Sequence, residues 1–438
     1  MVIRCARPRT ATRRALALVA ACLSAVGCRA ADPAALGEAP TAVVTSEFEA
    51  RAAWDEFEGA LRRYYAYLER EDLDVDALLA RARAAALTAD DAGALRRTLR
   101  LTTYAFTDPH LLVGPLDDSD PNVWPTSGDL AVSLAGDAFV VADVRAGSAA
   151  DAAGVRPGWW VEEVDGRPID EAAAALLALV PAPTARQRAY AATLAVNGRR
   201  SGGRALTLRP DGGPSRALSL ANPRDLAREV AARPPLEVRV VDGVGVIRLH
   251  NSLGRLDTIQ AFDAAVERCR DLDALVLDLR DTPSGGNSDV ARAVIGHFVT
   301  EARPYQVHEV PAVERRTSVP RRFVELVAPR TPHFSGRVAV LGGRWTGSMG
   351  EGLVIGLHAA AGARTFCSDM GDLLGALHTF PLAASGAVLE LGAEALFHVD
   401  GTPREAYVAD VPLRSADRDA AGGDPALAAA LEWLGAPR

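Results

Sequence analysis

Apolar and polar positions recur with different periods in successive parts of the chain. Between residues 46 and 101 the spacing is helical. Trp54, Phe57, Leu61 and Tyr65 fall three and four residues apart, which predicts a helix with one core-facing stripe and, with its neighbours, a small helical subdomain. Pro109 stops helical structure, Asp108-Pro109 favours a turn, and Leu111, Leu112 and Val113 read as a short strand. Over residues 127–210 the period falls to two: residues 131–134 and 137–144 read as strands. A short helix, a glycine turn, a strand and a hairpin follow, marking a separate module. From about Leu236 strands and helices alternate. Residues 244–249 and 274–280 are apolar strands. Between them lies an amphipathic helix with Ile259, Phe262, Ala265 and Val266 on one side. The run 338–341 is long enough for a buried strand, and Leu353, Val354 and Leu357 place a helix after Gly350. This alternation predicts a largely parallel sheet covered by helices, an α/β core, closed by a helix over 426–434.

Size and composition set bounds on this picture. At 438 residues, 49% of them hydrophobic, the chain can form two or three domains with large cores. A formal charge of −8 gives no basis for nucleic-acid binding. Lysine is absent: every basic side chain is arginine, so a phosphate-binding loop with Lys is excluded. Residues 1–28 read as an export signal. Arg4, Arg7, Arg9, Arg13 and Arg14 precede an apolar run too short to span a membrane stably. The run ends at Gly27-Cys28, similar to a lipoprotein cleavage site, with Cys28 as the acylated residue. The expected location is therefore the cell envelope, lipid-anchored at the periplasm or outer membrane, with plain secretion after a cut near Ala30 as the alternative. Arg13-Arg14 also permits twin-arginine export. Residues 29–45, rich in Ala and Pro, read as a tether. Cys269 and Cys367 could pair, but they give no disulfide framework and no metal spacing.

Ser348 is the leading candidate for chemistry. It stands in Thr346-Gly347-Ser348-Met349-Gly350, between a predicted strand and a predicted helix. A serine there can expose its hydroxyl, and the first-turn amides can stabilise an oxygen that gains negative charge. It can equally be an ordinary helix cap. Gly285 and Gly286 follow a buried strand in residues 279–287 and leave backbone amides free to point at a bound group, or simply turn the chain. His110 lies on a turn, and Glu405 in a late turn. Glu351 suits the helix N-terminus electrostatically.

Taken in order, these motifs resemble the tail-specific or C-terminal processing serine peptidases, in the branch like the tricorn protease core. The resemblance covers roughly residues 46–415: a helical lead-in, Thr-Asp-Pro-His, a PDZ-like run, Leu-Arg-x-x-Pro-x-Gly-Gly, and Thr-x-Ser-x-x-Glu. It implies an α/β fold with a crotonase/ClpP-like catalytic core over 235–438. It adds an N-terminal helical subdomain over 46–125 carrying His110, and an inserted PDZ-like domain over 126–215. It implies Ser348 as nucleophile, His110 as base and Glu405 as orienter, with backbone N–H of Met349 and of Gly285 or Gly286 as oxyanion hole. A Ser–Lys dyad is excluded because arginine does not deprotonate in proteins. Pro109 stands where the branch has a serine. His250 and His378 are rival bases. The implied function is an exported serine endopeptidase acting on peptides or proteins through an acyl-enzyme, with no metal or organic cofactor. Substrate can reach it through the PDZ-like domain, whose carboxylate loop would be residues 126–130, although Asp129 would repel a carboxylate. Non-catalytic ligand or peptide binding on the same scaffold, or an adaptor role for a lipoprotein, are the alternatives.

Overall fold

The computed structural model describes residues 49–69 and 72–435. The expected export signal, Cys28 and tether lie outside the described residues.

The C-terminal half is built on a sheet of strands in the order Val411–Pro412, Arg364–Cys367, Arg337–Gly342, Ala274–Asp278, Val244–Leu249 and Leu236–Val241. All neighbours are parallel except the last pair, which is a hairpin. Side chains alternate across this sheet with period two. Ile247, Leu275, Leu277, Val338 and Val340 face the helices Asp257–Cys269, Ser288–Gly296 and Met349–Ala361. Val246, Val276, Ala339 and Leu341 face the closing helix Pro425–Leu434 on the other side. Two-sided burial explains why these strands read as continuous apolar runs. Cys269 and Cys367 are buried and free, so the pairing left open by the sequence does not occur.

A second sheet runs Leu112–Gly114, Ala387–Phe397, Arg303–Glu309, Arg322–Val327, with Ala376–Leu382 also paired to Ala387–Phe397. It carries the helices Ala50–Tyr64, Val75–Ala86 and Ala92–Tyr104. The expected stripe of Trp54, Phe57, Leu61 and Tyr65 is fully buried, in one core with Leu389, Leu391 and Ala393. The early helices are thus fastened to strands from the end of the chain, and His110 lies in the connection from helix Ala92–Tyr104 to strand Leu112–Gly114.

The third sheet, Leu130–Ala135, Ala138–Val144, Trp160–Val164, Arg204–Arg209 and Arg216–Leu220, packs on helices Ile169–Leu176 and Ala185–Val196. Its last strand pairs up to Leu220, past the expected domain end at residue 215.

Candidate active site

Ser348 leaves the turn after strand Arg337–Gly342 and caps helix Met349–Ala361, with φ 52° and ψ −117°. This is a costly conformation for a residue with a Cβ, and it persists only where neighbours enforce it. Thr346 Oγ1 donates to Leu279 O at 3.0 Å and accepts from Gly343 N at 3.0 Å. Gly347 N donates to Thr282 O at 3.2 Å. These bonds lay the serine turn against the loop 282–286. Gly285, at φ 63°, is what permits the approach: a Cβ there would lie 2.5 Å from Ser348 Cβ and 2.6 Å from Met349 N. Its own N–H is already given to Thr282 O at 3.1 Å, so Gly285 does not supply an oxyanion donor as expected. Met349 opens the helix, where an N–H has no acceptor within the helix. Met349 and Gly286 both line the cleft onto which Ser348 opens.

Glu351 does far more than complement a helix dipole. The residue is 4% exposed, and its carboxyl oxygens accept from Ser348 N at 2.6 Å, Asp372 N at 3.0 Å and Leu373 N at 3.2 Å. Burial pushes its pKa up to about 8, against the pull of Arg404 and of the backbone N–H groups. Arg404, also buried, is 3.9 Å from Glu351. It donates to Ser348 O at 3.3 Å, to Leu373 O, and to Gly375 O at 3.4 Å. Two buried ionisable side chains, Glu351 and Arg404, therefore tie the serine turn to the loop 372–375.

The same loop holds His110. Its ring Nδ1 lies 2.9 Å from Leu374 O, and the Gly375 carbonyl also interacts with the ring. Asp108 accepts from the backbone N–H of both His110, at 2.9 Å, and Leu374, at 3.1 Å. With a carbonyl as its partner, Nδ1 must carry the hydrogen, which leaves the Nε2 lone pair free to accept a proton. Burial lowers the pKa to about 4, helped by Arg404, so the ring is neutral near pH 7. Among the described residues no hydrogen bond joins either ring nitrogen to Ser348 Oγ.

The expected orienter is elsewhere. Glu405 is exposed in the short 3-10 turn Arg404–Ala406, and the position on Nδ1 is filled by the Leu374 carbonyl. In such a turn adjacent side chains diverge, and here Arg404 enters the interior. The rival His250 is occupied elsewhere, its Nδ1 3.2 Å from Pro234 O. His378 lies 3.5 Å from Glu394.

Sequence reasoning missed the far wall of the cleft. There His308 Nδ1 meets Glu394 at 2.6 Å, and its Nε2 lies 3.4 Å from Glu325. Gln306 and His308, two apart on strand Arg303–Glu309, both line the cleft. That spacing was the available signal.

The loop expected to hold a carboxylate has its amides from Ser127 to Leu130 engaged: Ser127 N donates to Val123 O at 2.7 Å and Gly128 N to Pro125 O at 3.2 Å. Asp129 N and Leu130 N donate to Asn197 Oδ1 at 2.7 and 3.2 Å, and Val132 N to Thr193 Oγ1 at 3.0 Å. Asp129 is buried in an ion pair with Arg204. This loop also braces the serine turn and the loop beside it: Trp345 Nε1 donates to Gly128 O at 2.8 Å, and Ser284 Oγ to Thr126 Oγ1 at 3.3 Å.

No curated protein sequence matches the chain. Among solved structures, mature CPAF complexed with lactacystin is similar at TM-score 0.58 and 14% identity, over 88% of this chain and 97% of that one. The photosystem II D1 C-terminal processing protease is similar at TM-score 0.52 and 15% identity, over 84% of this chain and 94% of that one. Such identities show a shared fold. Residues 243–409, which contain Ser348, the 282–286 loop, Glu351 and Arg404, match the model of peptidase family S41, so the chain carries a domain of that family and is a serine-type peptidase.

Proposed function

We propose that the chain is an exported serine endopeptidase in which Ser348 attacks a peptide carbonyl and His110 takes the serine proton. A hydroxyl is a weak nucleophile until a neighbouring base removes that proton. Nε2 of His110 accepts it as Oγ bonds to the carbonyl carbon. The tetrahedral oxyanion is held by the N–H of Met349, with Gly286 beside it on the cleft wall. The imidazolium then protonates the leaving amine, and water, deprotonated by the same nitrogen, releases the acyl-enzyme. The Leu374 carbonyl, in place of the expected Glu405 carboxylate, fixes the tautomer. The observation that carries this reading is the loop 372–375, bound on one side to the serine turn through Glu351 and Arg404 and on the other to His110. Catalytic hydrogen bonds are often long in a free enzyme and shorten when substrate binds.

We assign the third sheet to a PDZ-like module that supports the nucleophile and does not read C-terminal tails, because its loop amides are already satisfied. Lipid attachment at Cys28 would place the enzyme at the membrane surface. No metal or organic cofactor takes part in the proposed steps.

A fluorophosphonate serine probe tests the assignment. Covalent modification of Ser348, absent in Ser348→Ala and strongly reduced in His110→Ala, is the expected result. A folded wild-type protein that stays unlabelled would favour ligand binding on this scaffold instead.

A further inference from the structure

The cleft that receives Ser348 combines apolar surface with buried charge. Met349, next to Ser348 in the chain, gives it apolar surface beside the serine, and Leu377 and Leu396 add more, Leu396 standing opposite His308 in the sheet. The far wall carries two carboxylates, Glu325 on strand Arg322–Val327 and Glu394 on strand Ala387–Phe397. Between them lies His308, stacked on Phe323 with ring centroids 4.5 Å apart. Glu325 also accepts from the Tyr305 hydroxyl. Even with His308 protonated, two negative charges face one positive charge on this wall. Arg404, on the serine side, is spent on three carbonyls and Glu351. Arg292 acts on Glu325 from helix Ser288–Gly296, but it is 40% exposed and paired with Asp289. His378 touches Glu394 alone among these groups.

We propose that this cleft takes a lysine or arginine side chain of the substrate residue whose carbonyl Ser348 attacks, with Glu325 and Glu394 receiving its charge. The inference rests on the peptidase reading. An aliphatic stem matches the apolar surface, and a cationic head matches the carboxylates, as amphipathic cationic side chains require. His308 makes the pocket proton-dependent. Protonated, it satisfies both carboxylates and competes with the incoming cation. Neutral, it leaves the two carboxylates without a positive charge between them, Glu325 keeping its bond from the Tyr305 hydroxyl and Glu394 its contact with Nδ1. The two carboxylates that flank it raise its pKa, outweighing its burial, so it holds its proton to higher pH than an exposed histidine. A cationic substrate must displace that proton, so discrimination in favour of basic residues increases as pH rises.

The test compares rates of Ser348 modification in the full chain by three aryl phosphonate esters. They differ only in bearing a guanidino, an isobutyl or a carboxylate side chain, with a plain fluorophosphonate as reference. The guanidino probe should react at least about tenfold faster than the isobutyl one at pH 8, and the carboxylate probe slowest. The guanidino-to-isobutyl ratio should shrink as pH is lowered toward 5. It should also approach unity in Glu394→Gln and, as an independent variant, in Glu325→Gln. An isobutyl probe that reacts as fast as the guanidino probe in the wild type would overturn the assignment, as would a ratio that rises on acidification. If even the plain fluorophosphonate leaves Ser348 unmodified, the peptidase reading itself has failed and the pocket assignment falls with it.

Discussion

Replacing Glu351 with alanine tests how the site is held together. The carboxylate accepts from Ser348 N, Asp372 N and Leu373 N at 2.6, 3.0 and 3.2 Å, and all three N–H groups lose their acceptor in the variant. A buried donor left unpaired costs about 1–3 kcal/mol. Water entering the space vacated by the side chain restores part of this, so the expected net loss is about 3–5 kcal/mol of stability. The functional loss should be larger in proportion. Ser348 sits at φ 52°, a conformation worth about 1–3 kcal/mol of strain that the carboxylate helps to enforce. Releasing it lets the turn relax, and the loop carrying His110 loses one of its two ties. The labelling rate at Ser348 should fall by about a hundredfold or more in protein that is still folded at low temperature, with the unfolding midpoint measured in parallel. Labelling at the wild-type rate in a folded Glu351→Ala protein would refute the idea that this carboxylate couples serine and histidine. The pH dependence supplies a second reading. With the folded-state pKa raised to about 8, the unfolded chain ionises from about pH 4.5 upward while the folded chain keeps its proton. Wild-type stability therefore falls with rising pH across that window, by about 1.4 kcal/mol per unit for this group. Glu351→Gln should lack the corresponding slope; parallel wild-type and variant pH profiles would contradict the burial argument.

Arg404→Lys keeps the charge but not the planar fork that reaches three carbonyls, so it should lose about tenfold or more in kcat/KM for a peptide substrate with the fold retained by circular dichroism; unchanged kinetics would show the fork to be dispensable. His110 is held neutral by burial, its pKa lowered to about 4, so the acidic limb of kcat/KM should fall near pH 4 and not near 6.5. The same shift makes stability decline as pH drops from about 6.5 toward 4, because the unfolded chain takes up the proton first. Gly285→Ala would place a methyl 2.5 Å from Ser348 Cβ at positive φ, so labelling should be nearly abolished, whereas Gly243→Ala, also at positive φ but in open space, should cost only about 1–2 kcal/mol of stability and leave the labelling rate intact.

Legibility followed the strength of local patterning. The parallel strands are buried on both faces, and their runs of Val, Leu and Ile are unambiguous; the stripe from Trp54 to Tyr65 is equally plain. Ser348 was legible because a strand, a glycine-framed turn and a helix are consecutive in the chain. The partners of His110 were not. They come from Leu374 and Gly375, whose part is played by backbone carbonyls, and a carbonyl carries no residue-specific signal. Glu405 and Arg404 are adjacent, and nothing in their order says which of two long charged side chains turns inward. Glu351 could be read as a helix-terminus charge, but its bonds to Asp372 and Leu373 depend on how the late loop packs. His308, Glu325 and Glu394 come from three strands whose pairing had to be seen before they could be grouped.

The most direct test of the account is a crystal structure of the phosphonylated enzyme. The adduct should lie on Ser348 Oγ, its oxygen within hydrogen-bond reach of Met349 N, and Nε2 of His110 about 3 Å from Oγ with Nδ1 still bonded to Leu374 O. An adduct on Ser348 with His110 remaining out of reach, and His308 or another base in contact with Oγ, would contradict it.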